Sequence, residues 1–381
     1  MTTELVLTNA RVVTADEVFT GTVHVKEGRI VGLARGATAA GGAIDCGGDH
    51  LVPGLVELHT DNLERHVSPR PKVRWHAGSA VQAHDALMAS AGITTVFDAI
   101  SCGDVIDGSE RLANLRTMAD AVTDAQARGY LRADHRLHLR CEVSTANVME
   151  LFGALAGNPL VGIVSLMDHT PGQRQFVHEV KYREYYMGKY GFSEEEMAAF
   201  TRRQQDNSAR YSDPHRRRIA DYCRDRGLTL ASHDDATVEH VAEAAELGIH
   251  FAEFPTTVEA AKASRQAGMM VLMGAPNLVR GGSHSGNVSA LELARQGCLD
   301  VLSSDYVPIS MIGAAFLMHK GELGLPLPDA IATVSRNPAR VANLDDRGEI
   351  AVGRRADLVR VHDTDDMPVV RAVWRGGTRV A

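Results

Sequence analysis

Residues 53–66 read PGLVELHTDNLERH. A Pro-Gly pair opens the stretch, apolar residues dominate 55–58, and His59, Asp61, Glu64 and His66 then fall within the last eight positions. An apolar strand that ends in imidazoles and carboxylates delivers cation-binding groups to one place. His59 and Asp61 are two residues apart, so on a strand both side chains point to the same face.

Seven further strand candidates follow, with helical stretches between them: 94–100 (TTVFDAI), 137–143 (LHLRCEV), 161–168 (VGIVSLMD), 228–234 (LTLASHD), 249–255 (IHFAEFP), 269–276 (MMVLMGAP) and 300–306 (DVLSSDY). Alternation of strand and helix implies parallel strands with crossover helices, and eight such units predict an α/β chain folded as a (β/α)8 TIM-like barrel. Polar residues end seven of the eight strands: His59/Asp61, Asp98, Glu142, Asp168, His233, Glu253 and Asp305. Barrel enzymes build their sites on that face. Strand seven, ending Gly274-Ala275-Pro276, is the exception.

Short alternating strands at both ends frame this region. Residues 1–52 and 346–381 are expected to form one composite β module, a small β-sandwich, with the barrel at 53–345 inserted between its halves. One connection is abnormally long: a polar, mostly helical excursion over about 169–227, rich in tyrosine, lysine and arginine, is expected to be a lid.

The bulk properties remove several alternatives. The 381-residue chain is 44% hydrophobic and 23% charged, an ordinary globular balance, with a formal net charge of -8 that disfavours nucleic acid as a partner. The five cysteines, Cys46, Cys102, Cys141, Cys223 and Cys298, form no CxxC pair, which argues against a disulfide framework or a cysteine metal site. The N-terminus lacks the basic and apolar regions of a signal peptide, and no apolar run is long enough for a membrane span. A cytoplasmic location is expected.

Imidazoles and carboxylates converging from several strand ends suit a divalent cation. The order of these residues resembles the amidohydrolase superfamily, with the split β module, the VPG before strand one and the GRRADLV near the C-terminus. That resemblance implies metal ligands at His59, Asp61, His233 and Glu253, and a strand-eight aspartate, Asp305, that accepts a proton and also ligates. It further implies a bridging group from strand three or four. Strand four has no lysine, so Glu142 takes that place here, with Asp168 the alternative.

The strings PGLVELHTDNLERHVSPRPKVRW, HDALMASAGITTVFDA, MDHTPGQRQF and GGSHSGNVSA narrow the resemblance to the α-D-ribose 1-methylphosphonate 5-triphosphate diphosphatases of the carbon–phosphorus lyase pathway. In that family the strand-one motif is His-x-Asp, and the implied activity releases diphosphate from a ribosyl 5-triphosphate to leave the 5-phosphate. The implied cofactor is one or two divalent ions, with zinc, manganese, iron and magnesium all open. A homodimer is expected.

A phosphorylated sugar needs basic and amide donors. Three loops offer them: Arg70 and Arg74 after strand one, His169, Arg174 and Gln175 after strand four, and Arg280, Ser283, His284 and Ser285 after strand seven. Glu64, His66, His84, Asp85 and Asp98 are expected to support the site or the core. Two other functions compete: cyclic amide hydrolysis, deacylation or deamination on the same scaffold, and a non-catalytic barrel kept as an assembly partner.

Overall fold

The computed structural model describes residues 4–103, 110–174, 182–183, 186–188, 191–283 and 286–381. Its strands fall into two sheets. One is an eight-stranded barrel of Leu55–Thr60, Ile93–Cys102, Asp134–Glu142, Val161–Met167, Thr229–His233, Phe251–Glu253, Met270–Gly274 and Val301–Ser303. Each neighbouring pair is parallel, and a bridge between Thr60 and Asp305 joins the last strand to the first. Below that bridge the segment 333–334 wedges between the two strands. Val56 N–H donates to Val334 O and Leu302 N–H to Thr333 O, both at 2.9 Å, so the gap leaves these groups satisfied.

Strand one contains a register shift between Glu57 and Thr60. Such a bulge turns consecutive side chains toward one side. Leu58 joins the apolar plug of the barrel with Phe97, Ile163, Phe251 and Leu272, while His59 still reaches the site above it. Glu57 repairs the interrupted ladder: its carboxylate accepts from the N–H groups of His59 and Ser304.

The second sheet is drawn from both termini. Leu358–Asp363 pairs antiparallel with His50–Pro53, which runs parallel to Glu4–Val13. The sheet curls over its own core, where Leu7, Val23 and Ile30 pack with Ile350, Leu358 and Trp374. Its two ends meet where Gly28 O accepts from Ala356 N–H at 2.8 Å. The stretch 53–66 is thus the junction of both sheets. Pro53 ends a module strand, Leu55 begins the barrel, and Gly54 between them has no room for a Cβ against Thr94 and Asp357.

The excursion before strand five contains one long helix, Glu194–Arg226. Ser193 and Glu196 form a capping box, three glutamates occupy the first turn, and Gly227 ends the helix in the left-handed conformation, φ +64°. Ser208 and Ser212 on this helix donate to Asp168 Oδ2 at 3.0 and 2.7 Å, which docks it on the end of strand four.

Candidate metal centre

His59 and His233 present their Nδ1 atoms to opposite oxygens of Glu253, each at 2.7 Å. Glu253 is completely buried and the two imidazole rings stack 5.9 Å apart. Strands one, five and six therefore deliver three of the sequence-predicted ligands to one point. Burial lowers the imidazoles to about 3 for His59 and about 4 for His233, so both stay neutral with a lone pair available.

Three neighbours extend this cluster. His138 has a ligand atom within 4.8 Å of those of His59 and Glu253. Its Nδ1 is engaged by Leu58 O at 2.8 Å, its Nε2 is buried without a hydrogen-bond partner among the described residues, and burial lowers it to about 3. On the other side His169 and Asp234 group with His233 in the same way. Asp234 Oδ2 lies 3.4 Å from His233 Nε2 and 3.6 Å from His169 Nε2, and its left-handed backbone, φ 58°, turns the chain directly after His233. Neutral imidazoles, ionisable carboxylates and a buried nitrogen awaiting a partner form a donor set that fits a divalent cation.

The other predicted ligands stand around this core. Glu142 accepts from His169 Nδ1 at 2.5 Å and from Ser144 Oγ at 2.9 Å. Burial opposes charge on both partners, yet their attraction wins: His169 rises to about 10 and Glu142 falls to about 2. Glu142 thus reaches the core through His169. Asp168 accepts from Ser208, Ser212 and the N–H of Thr170. Asp61 follows strand one and faces Arg140 Nη1 at 3.4 Å. Asp305 is pushed up to about 7, first by burial and then by Asp61. Its backbone N–H donates to His59 O at 3.2 Å, which holds the ends of strands one and eight together.

The expected substrate contacts divide. Arg70, Arg74 and Arg280 are exposed, and Ser283 is half-buried. Arg280 Nη1 lies 3.5 Å from the Tyr306 hydroxyl, and the Arg65 guanidinium lies 5.7 Å from the centre of the Tyr306 ring. Arg174 differs from expectation: it is buried and bound by Asp235 and Glu243, so its charge is neutralised within the fold. Gln175, His284 and Ser285 lie outside the described residues.

Sequence reading passed over His138, Asp234, Glu57, Arg65 and Tyr306. His138 was accessible in principle, because His138, Arg140 and Glu142 alternate on one face of strand three. Glu57 was not, since its task arises from the bulge. Burial pushes it up to about 8, against two N–H donors that pull the other way.

The family model for the amidohydrolase family matches residues 80–381, and the chain belongs to that family. Its members characteristically work with divalent metals, which agrees with the donor set described above. The chain is 52% identical over 377 residues to alpha-D-ribose 1-methylphosphonate 5-triphosphate diphosphatase of Escherichia coli (strain K12), covering 99% of this chain and 100% of that protein. Among solved structures, the N-acetyl-D-glucosamine-6-phosphate deacetylase of Mycobacterium smegmatis superposes with a TM-score of 0.66 at 17% identity over all of both chains. The N-isopropylammelide isopropylaminohydrolase of Burkholderia multivorans gives 0.65 at 15% identity, over 99% of this chain and 98% of that one. At such identities the structures share the fold, while the end-to-end relative is far nearer in sequence.

Proposed function

We propose that this protein hydrolyses α-D-ribose 1-methylphosphonate 5-triphosphate to the 5-phosphate and diphosphate. The observation that carries this reading is the 52% identity to the Escherichia coli diphosphatase along the whole chain. The composition of the barrel mouth supports it: Arg140 meets Asp61, and Arg65 and Arg280 meet at Tyr306, the residue after Asp305. A polyanion needs such cations, whereas a neutral amide or ring does not.

His59, His138, His233 and Glu253 would hold the metal, with Asp61, Glu142 and Asp305 as further ligands or supports. A divalent ion supplies Lewis acidity and lowers the pKa of bound water. The core donors are three imidazoles and one carboxylate, a mixed set that suits zinc, iron or manganese, with one ion at His59, His138, His233 and Glu253 and room for a second toward Asp61 and Asp305. Asp305 takes the proton from the attacking water. The water oxygen bonds to the phosphorus nearest the ribose, the bond from that phosphorus to the bridging oxygen breaks, and diphosphate leaves with the bond electrons. Arg65, Arg280 and the Tyr306 hydroxyl bind the departing end, with Arg70, Arg74, Ser283, His284 and Ser285 as additional contacts and His169 reaching the substrate from beside His233.

Residues 53–345 act as the catalytic unit, the termini at 1–52 and 346–381 as its composite module, and the excursion 169–227 as a cover. The protein works in the cytoplasm as a homodimer. No helix among the described residues is long and apolar enough to cross a membrane.

Phosphorus-31 NMR of the metal-loaded protein with the ribosyl triphosphate tests the reaction. Diphosphate and the 5-phosphate in equal amounts are expected. Stepwise release of orthophosphate, or turnover only of cyclic amides with no diphosphate, would refute it.

A further inference from the structure

Strand three sends His138, Arg140 and Glu142 toward the barrel mouth, and Arg140 is the cation of that row. Its side chain is only 14% exposed. Its charge is felt at His59, His138, His233 and Asp305, which places it amid the candidate metal centre instead of on the rim.

Three largely buried cations whose partners lie within the fold are held closely. Arg347 meets Asp134 at 2.5 Å, Arg216 meets Glu243 at 2.6 Å, and Arg360 meets Asp49 at 2.6 Å. Charge-assisted bonds of this kind run at about 2.7–2.9 Å or below. Arg140 is held loosely by comparison. Its contact with Asp61 is 3.4 Å; its Nε is buried without a hydrogen-bond partner among the described residues, as that of Arg216 also is, so the long ion pair is what sets Arg140 apart. Burying a guanidinium with loose pairing is costly, and an anionic ligand would offset that cost.

The geometry points to Arg140 as the residue that binds the non-bridging oxygens of the 5-phosphoryl group at which water attacks. This assignment rests on the proposed function and specifies which charge the site is built to receive. Arg65 and Arg280 are exposed and meet at Tyr306, so they suit the departing diphosphate, while Arg140 lies deeper, 3.4 Å from Asp61. Negative charge on the equatorial oxygens persists through phosphoryl transfer, and a planar guanidinium matches two of them at once. Arg140 thereby selects a phosphorus centre over a carbonyl centre.

Arg140→Gln and Arg140→Lys test this in the metal-loaded protein. Three quantities are read: metal content, kcat and KM for diphosphate release, and calorimetric affinity for ribose 5-phosphate, which carries the 5-phosphoryl group without the tail. Arg140→Gln is expected to keep its metal, bind ribose 5-phosphate at least about tenfold more weakly, and lose about 10²-fold in kcat, the usual cost of one preorganised donor. Arg140→Lys recovers part of both losses because it restores the charge without the fork. Ribose 5-phosphate affinity in Arg140→Gln close to that of the wild type would overturn the assignment. Loss of metal in parallel with activity would also overturn it, because Arg140 would then serve Asp61. Ribose 5-phosphate binding that depends on Arg140, in a wild-type protein that releases no diphosphate, would leave the subsite standing and remove the proposed reaction.

Discussion

Two buried clusters in this molecule use the same residue types and do different work. In the barrel mouth, Glu253 sits between His59 and His233. Outside the barrel, between the helix Ala77–Ser90 and strands two and three, Asp98 sits between His84 Nε2 at 2.6 Å and His135 Nδ1 at 2.7 Å. All of these imidazoles are almost fully buried. What separates the clusters is the surplus of charge. Asp85 adds a second carboxylate 3.3 Å from His135, and His135 rises to about 9 despite burial, because the two aspartates reward its proton. His59 and His233 face Arg140, which works against protonation, and burial keeps them neutral. An imidazole that is charged and clamped is a strut, whereas a neutral one with a lone pair to offer is a ligand. Residue identity alone does not distinguish them.

Metal removal tests that division most strongly. Stripping the ion with a chelator should abolish diphosphate release, and the added ion should restore it. His233→Ala should lower metal content, measured by elemental analysis of the purified protein; unchanged content would take His233 out of the ligand set. Asp305→Asn comes next. It should retain metal and fold while kcat falls by about 10²–10⁴, the usual range for a lost general base. Near-normal turnover would assign Asp305 to the strand-one closure alone. In the second cluster, Asp98→Asn should leave metal content per folded molecule unchanged and destabilise the protein by about 3–5 kcal/mol in denaturant titration, as removing one partner of a buried pair does. Loss of metal in that variant would merge the two clusters into one functional unit.

The architecture was legible because strand ends are written in a simple code. Each of the eight strand stretches overlaps an observed strand, and the boundaries differ by one to three residues at most ends. Strand three starts earlier, at Asp134, since a polar beginning, Asp134-His135-Arg136, hid its first turn of ladder from a hydrophobic reading. The pairing of charges was much less legible. Arg174 is two residues from a turn glycine and looks like a loop cation, yet Asp235 and Glu243 reach it from a distant part of the chain. The role of Glu57 depends on a one-residue bulge that leaves no trace in composition. His138 resembles any buried histidine until its neighbours across the barrel are known. Local periodicity reports which face a side chain takes, and only the closed barrel reports what it meets there.

The smallest expected effect concerns pH and the strut. The folded value of His135, about 9, lies above the ordinary imidazole value of 6.5. The folded protein therefore binds this proton more tightly than the unfolded chain does. The resulting stability is fully present below pH 6.5 and is lost as pH rises through about 9. Asp98 moves the opposite way: its histidine neighbours outweigh burial and hold it well below its ordinary value, so its contribution fades only in acid. Comparing the melting temperatures of the wild type and His135→Asn isolates the histidine. The gap should be widest near pH 6 and narrow toward pH 9, by at most about 3 kcal/mol when converted to free energy. A gap that stays constant across that window would mean that His135 is neutral in the folded protein. The contrast between strut and ligand would then rest on geometry alone, since His135 would carry the same charge as His59 and His233.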